Sequence, residues 1–214
     1  IREKKMGYYY ADESIFRKVT EATGTGNRRH PLTFLLEAAD DLAYKTADIE
    51  DAFVKGFLTY YTLEKELAPL EKNCPEMSFK PLEKLHRLHE RGKEKGVTSP
   101  ESYAVKNWIV SAQGFLIGCA TSGFTTNYEA IMSGMWKKDI FAGTEGEQLM
   151  DLLGDIAYRY VFSSREIYKM EVTESAILDF LMNRLVHAVL YFDTSEAEER
   201  MDSMDIRVIS FISD

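Results

Sequence analysis

Cysteine is scarce in this chain. It has two, Cys74 and Cys119, and neither falls in a CxxC pattern. That gives no disulfide framework and no cysteine-based zinc site, and it makes a reducing cytoplasm the expected setting. Proline is also rare, with five copies beside 13 glycines in 214 residues. So few breakers suit a largely helical chain. Long apolar runs are missing as well. The most apolar stretch, "WIVSAQGFLIGCATSG", is interrupted by Ser111, Gln113 and Gly114 and falls short of a membrane span. No signal peptide opens the sequence. Its first residue is Ile1 rather than Met, which reads as a fragment or a processed chain. Dense positive charge is lacking too. The net charge is −9, and the most basic stretch, "HRLHERGKEKG", is mixed in sign. A basic nucleic-acid-binding face is therefore not in view.

What the chain does have is apolar and aromatic residues, 45% and 12% of the total. That composition can bury a core. Helical punctuation recurs. Asp12 is placed to cap a helix over about 13–22. Pro31 suits the first turn of a helix running past Thr59. "NCPEMSFKP" interrupts the pattern, and "PLEKLHRLHERGKEKG" follows as a short charged helix. Ser99 and Pro100 open a long, mostly buried helix reaching Ser133. "GTEGEQLMDLLGDIAYRYVFS" and "SREIYKMEVTESAILDFLMNRLVHAVLYF" give two more helices, and "MDIRVISFISD" is an amphipathic tail. With no repeat and no flexible linker, residues 1–214 read as one all-α unit. "GTGNRR" carries glycines but follows no strand, so it reads as a plain loop rather than a phosphate loop.

The helix beginning at Pro31 is two-faced. At about 100° per residue, Leu35, Leu42, Ile49 and Phe53 share one direction, flanked by Ala38 and Ala39. Glu37, Asp40, Tyr44, Asp48 and Asp51 line the other. Asp40, Tyr44 and Asp48 stand four apart, so they share a face over two turns. Neighbouring like charges cost an isolated helix a few tenths of a kcal/mol per pair, roughly. Periodicity alone supports a solvated face. Tyr44 fits that reading poorly, since a large amphipathic ring suits a partly enclosed surface. The histidines carry less. His86 and His89 sit three apart among charges, as on a solvent face. His30 is a capping or lining residue, and His187 a core or interface one. Phe162 reads as core, with Arg165, Lys169 and Glu171 on the surface.

"RRHPLTFLLEAADDLAYKTADIEDAF" resembles a segment of the deoxyguanosine-triphosphate triphosphohydrolases, a branch of the HD phosphohydrolases. "KKMGYYYADE", "IFAGT" and "YRYVFSSREIYKMEVTES" are similar to neighbouring blocks of that family. The resemblance implies an all-helical fold and places this chain in the middle and later part of a longer protein. It implies a metal site of two histidines and two aspartates, with Asp40 as the last ligand and the other three upstream of Ile1. No His-Asp pair occurs in the chain. The metal would be Mg²⁺ or Mn²⁺, with Fe²⁺ also accepted by a mixed His/Asp set. The resemblance further implies that Tyr44 packs on the deoxyribose and Asp48 holds the sugar 3′-hydroxyl. Phe162 would lie near the nucleoside and Glu171 would read the guanine edge. The substrate would be a deoxynucleoside triphosphate such as dGTP. The missing N-terminal half and further copies in a homo-oligomer would be the partners, and the isolated chain would be inactive. Two alternatives stay open: a catalytically dead helical module for binding or oligomerisation, and an HD hydrolase acting on other deoxynucleotides.

Overall fold

The computed structural model describes residues 8–26, 28–163 and 165–210. These form helices, with no strand among the described residues. The elements are a 3₁₀ turn Tyr10–Asp12, then α1 Glu13–Ala22, α2 Pro31–Val54, α3 Tyr60–Asn73, α4 Pro81–Glu94, α5 Pro100–Thr126 and α6 Tyr128–Met132. After these come α7 Glu147–Ala157, a π turn Tyr158–Phe162, α8 Arg165–Tyr191, α9 Ala197–Arg200 and α10 Ser203–Ile209. The chain groups into two compact units, Ile1–Val161 and Phe162–Asp214. No helix is long and apolar enough to cross a membrane among the described residues.

Helix ends follow side-chain chemistry, with three departures from the sequence reading. Ser99 Oγ accepts from Ser102 N at 3.3 Å, with Pro100 behind it, as expected. His30 Nδ1 accepts from Leu32 N at 3.2 Å, so this histidine is a cap. Asp12, by contrast, makes no capping bond; it ends the 3₁₀ turn that runs into α1. The helix read from Pro31 past Thr59 stops at Val54. Gly56 takes φ +77°, and Phe57 N folds back to Ala52 O at 2.8 Å. Thr59 then starts α3, its Oγ1 accepting from Thr62 N at 3.1 Å. The helix read as reaching Ser133 ends at Thr126, where the Asn127 amide donates to Gly123 O at 2.8 Å. The opening residues 1–7 and the last four of the tail lie outside the described residues.

The core of the first unit forms where α2 meets α5 and α7 and where α4 meets α3 and α5. Trp108 is fully buried there, its indole N–H donating to Pro81 O at 2.8 Å. The buried seam of α2 is Phe34, Ala38, Leu42, Thr46, Ile49 and Ala52. It is rotated from the expected one: Leu42 and Ile49 are inside, but Leu35 and Ala39 are exposed and Phe53 is half-buried. Small residues at 38, 46 and 52 let α2 approach closely, and two polar contacts set its rotation. Thr46 Oγ1, almost completely buried, donates to Leu42 O at 2.8 Å and accepts from Gln113 Nε2 at 2.9 Å. Lys45 Nζ donates to Met150 O at 3.0 Å.

In the second unit, α10 packs on α8. Asp205 is buried there. Its carboxylate accepts from Asp202 N at 3.0 Å in a capping box and lies 3.2 Å from His187 Nδ1. His187 is thus an interface residue between two helices, as expected.

The glycines of α5 separate cleanly. A Cβ on Gly123 would lie 1.8 Å from Ile140 O, whereas Cβ atoms on Gly114 and Gly118 would meet nothing within 4 Å. Gly123→Ala should destabilise the chain by about 1–3 kcal/mol through overpacking. Gly118→Ala should stabilise it by about 0.5–1 kcal/mol. Denaturant unfolding of the two variants checks both signs.

Candidate functional site

The buried seam of α2 determines what the helix turns outward. Asp40 and Tyr44 are exposed, Tyr44 by 66%, and Asp48 is half-buried. The three stand in line four residues apart, so the structure keeps them on one face. Among the described residues, none of the three makes a hydrogen bond or ion pair. Their neighbours do: Asp51 pairs with Lys55 at 3.0 Å, and Glu37 with Arg29. A rigidly backed helix thus presents two carboxylates flanking one phenol, all three without hydrogen-bond or ion-pair partners among the described residues.

Burial raises the Asp48 carboxyl above its ordinary 3.8. Asp51, one turn on, pushes it the same way, and Lys55 opposes them. The residues here do not by themselves fit a metal ion. Asp40 is a single exposed carboxylate, and no group of three or more His, Cys, Asp or Glu that could hold a metal occurs among the described residues. His86 and His89 do not converge on a shared site. His86 Nε2 lies 2.6 Å from Glu64 Oε1, while the largely buried His89 ring packs on Tyr60 at 4.5 Å. Both cysteines are free.

Phe162 and Glu171 belong to the second unit, so Asp40, Tyr44 and Asp48 are the candidate residues that the first unit holds by itself. Phe162 is 48% exposed, which corrects its reading as core. It closes the π turn, where the backbone ladder widens and the helical phase that would bury it is lost. Glu171 is exposed on α8.

The sequence reading passed over Glu66. Its carboxylate accepts two bonds from Arg159, at 2.8 and 2.7 Å, and one from the Tyr160 hydroxyl at 2.7 Å. These bonds, chiefly those from Arg159, hold Glu66 below the usual glutamate range. They also tie the chain leading to Phe162 onto α3. In "YTLEKEL" nothing separates Glu66 from an ordinary solvated glutamate, and a π turn has no sequence signature.

No family model matches the chain. Curated proteins do. The "Deoxyguanosinetriphosphate triphosphohydrolase-like protein" of Listeria monocytogenes is 36% identical over 217 aligned residues, covering all of this chain and 45% of that protein. The chain is similar along its whole length to a protein named as deoxyguanosinetriphosphate triphosphohydrolase-like. The Listeria innocua protein of the same name gives the same figures. A "Probable deoxyguanosinetriphosphate triphosphohydrolase" of Pseudomonas aeruginosa is 26% identical over 196 residues, covering 84% of this chain and 38% of its own length. The chain spans a little under half the length of the curated relatives it matches.

The raised Asp48 carboxyl has a stability consequence. Ionising it costs the folded state more than the unfolded one. The cost is absent below the unfolded value and complete above the folded one. Asp48→Asn should therefore stabilise the chain at neutral pH by about 0.3 kcal/mol, the scale of a relieved like-charge pair. That gain should vanish near pH 3, roughly, where both states are protonated. Thermal unfolding of the two proteins at both pH values measures it.

Proposed function

We propose that this chain is the part of a deoxynucleoside triphosphate triphosphohydrolase that grips the sugar and gives one ligand to the metal. The observation carrying this reading is the row Asp40, Tyr44 and Asp48, which makes no hydrogen bond or ion pair among the described residues, on a helix anchored by Thr46 and Lys45. An enclosed ligand would offset the repulsion within the row; water alone would leave the Tyr44 ring without a role. The names of the relatives support dGTP as the substrate. Hydrolysis would release deoxyguanosine and intact triphosphate.

In this reading the Tyr44 ring lies against the deoxyribose at C2′, where a ribose hydroxyl would clash. Asp48 accepts a hydrogen bond from the 3′-hydroxyl. Asp40 would give one ligand to a divalent ion, Mg²⁺ or Mn²⁺, with Fe²⁺ also suitable. Such an ion would supply Lewis-acid chemistry at the phosphate and at a bound water. Its remaining ligands would come from the rest of the longer parent. Phe162 supplies a ring beside the nucleoside and Glu171 an acceptor for the guanine edge. Phosphate-neutralising cations come from the same missing part and from further copies in a homo-oligomer, which agrees with the −9 charge of this piece.

A second reading has its own support. Large apolar side chains stand exposed along α8, among them Ile177, Leu178, Phe180, Leu181 and Met182. Such a surface suits a helical module for oligomerisation without catalysis. The parent reading frame separates the two: a histidine followed by a His-Asp pair upstream of Ile1 favours the enzyme, and its absence favours the module. A panel of deoxynucleoside triphosphates separates a dGTP enzyme from one acting on other bases.

The isolated chain should release no triphosphate from dGTP with Mn²⁺, and clear release would refute an incomplete site. In the parent, Asp40→Ala should remove tight metal binding, read by metal analysis of the purified protein, and lower activity by about 10²–10³-fold, the scale for losing one transition-state charge-stabilising contact. Tyr44→Ala should bring the kcat/KM values for dGTP and GTP closer together. An unchanged ratio means Tyr44 is not the sugar gate.

A further inference from the structure

The loop between α1 and α2 does more than connect. With α5 and α6 it frames a cavity of about 440 Å³, within the size range of small-molecule sites. One side is polar, with Thr25, Arg28 and His30. The other is apolar, with Leu35, Phe124 and Tyr128.

Arg28 is held in place. Its stem lies so close to Gly134 that a Cβ there would come within 2.4 Å of Arg28 Cδ, and Gly134 takes φ +72°. Its Nη1 donates to Ser133 O at 3.1 Å. Among the described residues no carboxylate pairs with it. Acidic residues outnumber basic ones in the chain by 35 to 26, yet Arg28, exposed at the cavity wall, has no carboxylate partner among the described residues. Arg29, its neighbour, is already committed: it pairs with Glu37 and lies 4.4 Å over the Phe34 ring. His30 accepts on Nδ1 from Leu32 N, which leaves Nε2 to carry the proton and donate. Facing these donors, the Phe124 and Tyr128 rings meet edge to face at 6.1 Å.

We propose that this cavity binds a small organic anion built on a flat ring. The free N–H groups of the Arg28 fork and His30 Nε2–H take the anionic group, while Tyr128 and Leu35 take the ring. A ring phosphate and a ring carboxylate share this chemistry. The proposal does not depend on the triphosphohydrolase reading and fails or stands separately from it.

The test is calorimetric titration of the 214-residue chain with adenosine 5′-monophosphate, benzoate and inorganic phosphate. Circular dichroism confirms that each variant is folded. At least one ring anion should saturate the chain below about 5 mM and bind more tightly than inorganic phosphate; the tighter of the two names the source. Arg28→Gln should weaken that ring anion about tenfold or more. Gly134→Ala should do the same by pushing Arg28 aside without touching the ligand. Tyr128→Ala should weaken the ring anion while leaving inorganic phosphate unchanged. The proposal is overturned if no probe saturates, if inorganic phosphate binds as tightly as both ring anions, or if Arg28→Gln binds like the original chain.

Discussion

The rotation of α2 about its own axis is the constraint on which the candidate site depends. A hydrophobic seam alone leaves that rotation loosely set, because Ala38, Leu42, Thr46 and Ala52 are small or flexible in shape. The hydrogen bond between Gln113 and the buried Thr46 hydroxyl permits only one phase. Lys45, reaching Met150 O from the adjacent position, fixes the same phase against α7. Once these two contacts form, Asp40, Tyr44 and Asp48 must face away from the core together. The geometry of the site follows from a polar bond on the opposite side of the helix.

That arrangement keeps an electrostatic cost in place. Asp51 finds Lys55 and Glu37 finds Arg29, so the acidic residues flanking the row have cationic partners. The row itself makes no ion pair among the described residues, and the Asp48 carboxyl is raised first by burial and then by the nearby Asp51 charge. Charges left uncompensated in a folded chain are commonly reserved for something that binds.

The fold class was legible from breakers and periodicity: α1 and α4 fall where "ADESIFRKVTEA" and "PLEKLHRLHERGKEKG" suggest, and Ser99 caps as its type and place imply. The break after Val54 was missed because Gly56 lies in an otherwise helical pattern. Its positive φ is a property of the turn rather than of composition. The seam of α2 was misphased because Leu35 outweighs Ala52 on any hydropathy scale, while packing selected the small residue. The alignment of Asp40, Tyr44 and Asp48 needed only helical spacing. The roles proposed for them rest on the family resemblance. Glu66 and Arg28 were out of reach, since each acquires meaning only from partners 93 to 105 positions away in sequence.

The glycines of α5 divide that helix mechanically. At Gly123 the backbone is pressed against Ile140 with no room to spare, so this end is clamped. At Gly114 and Gly118 themselves a side chain would meet open space, while between them Leu116 is fully buried and Phe115 stacks on Phe79. The helix therefore has no freedom to take a side chain where it touches the loop after α6, and room for one on its outer face one to two and a half turns earlier. Gln113, which holds α2 in phase, stands immediately beside Gly114.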